Sequence, residues 1–140
     1  MRDTVKKIED FHLKYGFTVG HELTADVELG SLSYELGVMA SCLEKSRPTS
    51  LRAHLVVEEV AELLAALAAG DEVGTLDALA DLIYVTVGTA VTFGLPLAEA
   101  VEEVHRSNMT KTLVRDRPGH PGKGDGYSPP QLAELLRRGE

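Results

Sequence analysis

The chain has 140 residues, of which 44% are hydrophobic and 26% charged, and its formal net charge is −8. This length and composition indicate one globular domain spanning residues 1–140, and they exclude a disordered chain or a two-domain protein. The acidic balance argues against a nucleic acid polymer as partner, and the single cysteine, Cys42, excludes an internal disulfide.

The spacing of apolar residues predicts helices along most of the chain. A first helix ends at Gly16 and is followed by a loop over residues 17–29. Gly70 is expected to end a long helix, whose start is capped by Thr49 or Ser50. The remaining predicted helices span residues 31–45, about 72–93, 96–105 and the end of the chain from 131, with a Gly- and Pro-rich loop over 115–130. No strand or repeat is evident, so the predicted fold class is all-α, a helix bundle.

Two features bear on where the protein is expected to function. A lone cysteine suits the reducing cytoplasm, and residues 1–12 contain no apolar segment typical of a signal peptide. The apolar run LADLIYVTVGTAVTFGL, residues 79–95, falls short of a membrane span and is predicted to be a buried core helix. A cytoplasmic protein without a membrane partner is therefore expected.

Charge is distributed unevenly along the chain. Residues 1–105 hold 7 Lys or Arg and 18 Asp or Glu, whereas residues 106–140 hold 7 and 4, so a basic tail follows an acidic body. Between Arg52 and Arg106 there is no Lys or Arg, although ten acids lie in that interval. Either a distant basic segment or a metal ion is therefore needed to neutralise these acids.

Carboxylates cluster on two consecutive predicted helices. On the first, Glu58, Glu59 and Glu62 are three or four residues apart, so they project over one side of the helix, within an apolar stripe. On the second, Asp77 and Asp81 are four apart. In an antiparallel hairpin with its tip at Gly70, a rise of about 1.5 Å per residue places both groups roughly 10 to 16 Å from that tip.

Carboxylates at one level raise one another's pKa unless a cation is present. Hard oxygen ligands of this kind favour Mg²⁺ or Mn²⁺. Gly88, on the same face as Asp77 and Asp81, leaves room for a neighbour or a ligand. The plain alternative is a solvated acidic face on a helical hairpin. A second metal hypothesis comes from two Glu-x-x-His pairs, Glu9 with His12 and Glu102 with His105, which are typical of di-iron bundles.

Four stretches carry a family resemblance: EEVAELLAAL, DALADLIYV, EEVHRSNMTK and GKGDGYSPPQL. Over roughly residues 50–132 they resemble the all-α nucleoside triphosphate pyrophosphohydrolases, a superfamily that includes MazG-like enzymes, dimeric dUTPases and phosphoribosyl-ATP pyrophosphohydrolase. The opening FHLKYG is similar to the last of these. The superfamily pattern is E-x-x-E, a spacer, then E-x-x-D; Glu59 and Glu62 fit its first half and Asp81 its end. The other Glu is replaced by Ala78, beside Asp77, which leaves the number of metal ions open.

The resemblance implies a hydrolase that cleaves a nucleotide, expected to be a (deoxy)nucleoside triphosphate, between its α- and β-phosphates with Mg²⁺ or Mn²⁺. A nucleotide-binding bundle that lost catalysis with the ligand at Ala78 is the alternative. A homo-oligomer, dimer or tetramer, is also implied. The implied catalytic residues are Glu58, Glu59 and Glu62, the metal ligands Glu59, Glu62, Asp77 and Asp81, and the substrate-binding residues Asn108, Lys111, Arg106, Lys123 and Tyr127.

Overall fold

The structure, a computed structural model, describes residues 1–113 and 119–137. Its six helices confirm the all-α prediction, and the β-pairing within the described ranges is an isolated bridge between Thr112 and Gly122. Residues 115–118 of the predicted loop, and the last three of the predicted terminal helix, lie outside the described residues. The helices are α1 (Arg2–Tyr15), α2 (Leu29–Cys42), α3 (Pro48–Ala69), α4 (Glu72–Thr92), α5 (Leu97–Met109) and α6 (Leu132–Arg137).

The chain forms two compact units. Residues 22–95 form the hairpin unit, which contains α2, α3 and α4, and residues 1–21 with 96–140 form the terminal unit, which contains α1, α5 and α6. The prediction of one domain over residues 1–140 stays a prediction.

In the hairpin unit, α3 packs against both α2 and α4. Its contact with α2 includes a hydrogen bond from Ser33 Oγ to the carbonyl of Ala61, 2.7 Å long. The turn between α3 and α4 uses Gly70 at φ 67°, a left-handed conformation that favours glycine. Asp71 then caps α4, because its Oδ1 accepts hydrogen bonds from the backbone N–H groups of Val73 and Gly74. The predicted helical hairpin is therefore present.

Several helix boundaries differ from the predictions. Helix α2 begins at Leu29 and ends at Cys42, whereas residues 31–45 were predicted. The long helix begins at Pro48, with Arg47 at the N-cap and no side-chain cap, so the predicted capping by Thr49 or Ser50 is wrong. Proline suits the first helical position, since its fixed φ is helical and it lacks an N–H that would need a partner. Helix α5 continues to Met109, four residues beyond the predicted end, because no glycine or proline interrupts it there.

Helix α4 is far more exposed than the sequence suggested. Ala78 and Ala90 are its buried residues, whereas Leu76 is 71% and Tyr84 80% exposed. The prediction of a buried core helix is therefore wrong for the single chain, because α4 packs against α3 and turns its other sides outward. By length and composition alone, α4 is also long and apolar enough to cross a membrane, a criterion that core helices of soluble proteins meet as well.

Close contacts define the register of the α3–α4 hairpin. A Cβ added to Gly74 would lie 3.3 Å from Ala66 Cβ, and one added to Gly88 would lie 2.6 Å from Arg52 Nη1. The contact of Gly74 with the Cβ of Ala66 sets one antiparallel register, and the contact of Gly88 with Arg52 agrees with it. It places Glu59 opposite Asp81, and Glu62 opposite the buried Ala78.

In the terminal unit, the end of α1 holds the end of α5. Tyr15 is buried, and its hydroxyl donates to the carbonyl of Lys111 at 2.6 Å. Lys14 Nζ donates to the carbonyl of Met109 at 2.6 Å, and Lys7 forms an ion pair with Glu102. The conformation of the chain around residues 108–111 therefore depends on α1.

Candidate active site

The five predicted carboxylates of the hairpin unit lie on the adjacent helices α3 and α4, and we call them the carboxylate cluster. Glu62, Asp77 and Asp81 are exposed, whereas Glu58 and Glu59 are half-buried. Oxygen Oε2 of Glu59 is fully buried and has no hydrogen-bond partner among the described residues. A buried carboxylate oxygen without a donor or cation costs free energy. Glu59 is therefore the residue of the cluster whose surroundings least favour its ionised form. The cluster consists of Glu58, Glu59, Glu62, Asp77 and Asp81.

The electrostatics of Glu59 reflect this crowding. Burial raises the pKa of Glu59 above its ordinary value, and the charges of Glu62, Asp81, Glu58 and Asp77 raise it further, in that order of effect. All four other members of the cluster therefore lie within electrostatic reach of Glu59, from both helices. No basic residue is among the groups that act on it, so the like charges remain uncompensated.

The donor set of the cluster suits a hard divalent cation. Carboxylate oxygens are the ligands that Mg²⁺ and Mn²⁺ prefer, and the unpartnered Oε2 of Glu59 is a donor that such an ion would satisfy. Within residues 1–113 and 119–137, however, no three His, Cys, Asp or Glu side chains are close enough together to hold one ion. To hold an ion, the exposed side chains of Glu62, Asp77 and Asp81 would have to adopt other rotamers.

His54, which sequence reasoning missed, is buried beside the cluster. Its Nδ1 lies 2.9 Å from the carbonyl oxygen of Ala40, and its Nε2 lies 3.4 Å from Oε2 of Glu58. Because a carbonyl oxygen can only accept, Nδ1 carries a hydrogen and donates it to Ala40. The signal in the sequence was the four-residue spacing of His54 and Glu58 on one helix.

Arg52 is a second residue that the sequence analysis did not assign. Its guanidinium occupies the space beside Gly88 that was predicted to admit a neighbour or ligand. Arg52 precedes Glu59 by two helical turns on the same face of α3, which was the available signal.

The predicted substrate-binding residues lie in the terminal unit. Asn108 lines a cavity of about 360 Å³ between α1 and α5, together with Phe11, His12 and His105. Nζ of Lys111 lies 6.0 Å from the ring centroid of Phe11. Outside this cavity, the ammonium of Lys123 lies 5.1 Å from the ring centroid of Tyr127. Because these residues and the carboxylate cluster belong to different units, a joint site stays a prediction.

Arg106 is already engaged within the terminal unit. Its guanidinium donates to Glu103 through two nitrogens at 2.8 Å, to Ser128 Oγ at 3.1 Å and to the carbonyl of Pro129 at 3.0 Å. The hydrogen bonds from Arg106 and from the backbone N–H of Gln131 lower the pKa of Glu103 to about 2. Arg106 therefore joins α5 to the segment before α6, and a substrate contact would have to compete with these bonds.

The all-α hairpin with its acidic cluster is of the kind expected for a nucleotide pyrophosphohydrolase. Residues 41–108, just under half of the chain, match the phosphoribosyl-ATP pyrophosphohydrolase family model. The match includes α3, α4 and the whole carboxylate cluster and ends at Asn108, and it confirms the resemblance drawn from the sequence. This is a hydrolase family that acts on nucleotides and generally depends on a divalent metal. No curated protein and no solved structure gave a significant match.

Proposed function

We propose that this protein is a Mg²⁺-dependent nucleotide pyrophosphohydrolase. It cleaves a (deoxy)nucleoside triphosphate between the α- and β-phosphates, giving a nucleoside monophosphate and pyrophosphate. The observation that carries the proposal is Glu59, whose buried oxygen lacks a partner at the centre of the carboxylates contributed by α3 and α4. A divalent cation would give the buried oxygen of Glu59 the contact that it lacks. It would also offset the repulsion among the carboxylates.

Four carboxylates would hold the metal: Glu59, Glu62, Asp77 and Asp81. When bound, Mg²⁺ supplies neutralisation of the phosphate charge and polarisation of the phosphorus centre. Asp77 is the weakest of the four charges that act on Glu59, and Ala78, where the superfamily has its other Glu, is 4% exposed and packed in the helix interface. Asp81 is therefore the stronger candidate ligand on α4.

Glu58 is the proposed general base. It lies outside the metal-ligand set, and Nε2 of His54 contacts its carboxylate. Glu58 orients the attacking water and accepts its proton, and the contact with Nε2 of His54 positions the Glu58 carboxylate. Because the other ring nitrogen is bonded to Ala40, the imidazole is fixed in orientation before substrate arrives.

Residues of the terminal unit are proposed to bind the nucleotide. Lys111 makes no ion pair within the described part of the chain, so its ammonium is available for a phosphate oxygen. Asn108 has both an amide donor and an acceptor at the edge of a partly apolar cavity, which suits recognition of a sugar or base.

A homo-oligomer is also proposed, with α4 at the contact between copies. Apolar side chains recur along the exposed side of α4 at spacings of three, four or eight residues, which keep them on one side of the helix, and a surface of this kind is costly to leave in water. A second copy presents the same stripe, so the two can cover each other by a symmetric contact. The stripe consists of Val73, Leu76, Tyr84, Val87 and Val91.

The test is pyrophosphate release by the purified chain, with Mg²⁺ and a panel of dUTP, dCTP, a damaged nucleotide and a phosphoribosyl nucleotide. Release that requires the metal, that Glu59→Gln abolishes and that Glu35→Gln leaves intact supports the proposal; Glu35 is an exposed acid on α2. Nucleotide binding without release would instead indicate the non-catalytic bundle, and bound iron with colour would indicate the di-iron alternative.

A further inference from the structure

Arg52 has a distinctive place in the hairpin unit. It is the only Lys or Arg in α3 and α4, which together carry the entire carboxylate cluster. Within the described part of the chain, however, its guanidinium makes no ion pair and no hydrogen bond. A half-buried arginine beside many acids that pairs with none of them retains all five of its N–H donors for another acceptor.

The guanidinium of Arg52 lies against the backbone of α4 at Gly88. Nη1 of Arg52 lies 2.6 Å from the position that a Cβ on residue 88 would occupy, so any larger residue would displace it. The side chain therefore crosses from α3 to α4 and rests on the bare backbone of α4. A side chain at residue 88 would therefore change where the guanidinium lies relative to α4.

The contact between Arg52 and Gly88 is aligned along the hairpin with the carboxylate cluster. Arg52 precedes Glu59, and Gly88 follows Asp81, by seven residues each, so both pairs lie on the same helix faces. At a rise of about 1.5 Å per residue, the level of Arg52 and Gly88 is roughly 10 Å along the hairpin from the level of Glu59 and Asp81. The guanidinium is too far away to serve as the counter-ion of Glu59, and it is absent from the charges that act on it.

We propose that Arg52, seated on Gly88, is an anion-binding site that takes the pyrophosphate end of the nucleotide. This inference rests on the proposed function, since it assumes that the carboxylate cluster holds the metal next to the scissile bond. A polyphosphate chain bound there extends along the hairpin in one of two directions. The direction toward Arg52 leads to the one cationic group that α3 and α4 carry.

The chemistry of a guanidinium fits this end of the substrate. Its planar fork donates two parallel hydrogen bonds to phosphate oxygens, and pyrophosphate offers more anionic oxygens than a monophosphate does. Cleavage also increases the negative charge on the leaving pyrophosphate. A fixed cation at that position therefore favours the transition state over the ground state.

The experiment is a calorimetric titration of inorganic pyrophosphate with Mg²⁺, with parallel titrations of free Mg²⁺ and of a nucleoside monophosphate. A charge-assisted hydrogen bond is worth about 1.5–3 kcal/mol, so Arg52→Gln should weaken pyrophosphate binding roughly 10- to 100-fold. Binding of free Mg²⁺ and of the monophosphate should change less than about twofold, because neither contacts Arg52 in this arrangement.

Gly88→Ala tests whether the position of the Arg52 guanidinium matters, without altering any charge. The added methyl displaces the guanidinium, so pyrophosphate binding should weaken in this variant as well, although less than in Arg52→Gln. Gly37→Ala is the matched control, since Gly37 lies inside α2 with no atom within 4 Å of an added Cβ. Both glycine variants favour helix, so neither should impair folding.

The outcomes separate this inference from the proposed function. If wild type hydrolyses a nucleotide but Arg52→Gln and Gly88→Ala bind pyrophosphate as wild type does, the anion site is wrong and the enzyme assignment stands. Equal weakening of pyrophosphate and monophosphate binding also overturns it. If wild type hydrolyses no nucleotide, the proposed function fails, whichever residues bind pyrophosphate.

Discussion

Asp81 on α4 lies opposite Glu59 on α3 in the antiparallel register that the contacts of Gly74 and Gly88 define. Burial raises the pKa of Glu59 most, Glu62 one turn further along adds to it, and Asp81 adds to it from the facing helix. The hairpin thus holds acids from two helices against one half-buried carboxylate, an arrangement that opposes folding until a cation is present. The first two predictions follow from it.

Glu59→Gln should stabilise the metal-free protein and abolish its response to metal. The unfolded chain ionises Glu59 near the ordinary value of 4.5, whereas the folded chain ionises it at higher pH. The contribution of Glu59 to stability is therefore full below that value and is lost as the pH rises through the raised pKa. At pH 7 the variant should melt a few degrees higher in EDTA, since about 1 kcal/mol corresponds to roughly 4 °C.

Melting curves at pH 4 and pH 7, with EDTA or with Mg²⁺, check this prediction. The gain in the variant should shrink at pH 4, and Mg²⁺ should raise the melting temperature of wild type only. A variant that is less stable than wild type in EDTA at pH 7, or that responds equally to Mg²⁺, would contradict it.

Asp81→Asn should cost more activity than Asp77→Asn. Both residues act on Glu59, but the effect of Asp81 is second only to that of Glu62 among the charges and that of Asp77 is the smallest. We expect loss of Mg²⁺ affinity with Asp81→Asn and a smaller loss with Asp77→Asn. Calorimetric Mg²⁺ titration and kcat measure the difference, and Asp26→Asn, outside both helices, serves as control. Equal losses would show that Asp77 fully replaces the ligand missing at Ala78.

His54→Asn should slow the chemical step while the protein stays folded. The asparagine amide can still donate to the carbonyl of Ala40, but it cannot reach Glu58 as Nε2 does. We expect kcat to fall about tenfold, a part of the 10²- to 10⁴-fold that general base catalysis contributes. KM should stay near its wild-type value, which separates a slower chemical step from weaker substrate binding. An unchanged kcat would remove His54 from the mechanism.

Lys111→Ala should lower kcat/KM for the nucleotide without affecting metal binding. Loss of a charge-assisted contact of about 1.5–3 kcal/mol lowers kcat/KM roughly 10- to 100-fold. Affinity for free Mg²⁺ should match wild type, because Lys111 is proposed to contact phosphate. Lys45→Ala, at an exposed position after α2, is the control. Wild-type kinetics in Lys111→Ala would show that this lysine does not contact the nucleotide.

Replacing both Leu76 and Tyr84 by Lys should convert the proposed oligomer into a monomer. Both side chains are largely exposed in the single chain and lie on the apolar stripe of α4. Light scattering during size-exclusion chromatography gives the mass directly. Leu13→Lys, which changes an exposed residue of α1, should leave the mass unchanged. A monomeric wild type, or one that partitions into detergent micelles, would contradict the prediction.

The sequence alone was enough to identify the helices and the acids of the site. Apolar spacing and the glycine at position 70 are local signals, and they predicted the α3–α4 hairpin. The absence of Lys and Arg between Arg52 and Arg106 identified acids that lack a local partner. Because an antiparallel hairpin fixes the heights of its residues, the meeting of Glu59 with Asp81 was also predictable.

Only the tertiary structure decided what surrounds those acids. His54 is oriented by a carbonyl of α2, Arg52 rests on a glycine of α4, and Arg106 is engaged by Glu103 and the segment before α6. The exposure of α4 likewise depends on which of its sides α3 covers. Each of these contacts joins side chains on different elements, and a residue's own type and spacing do not reveal which partner packing will bring to it.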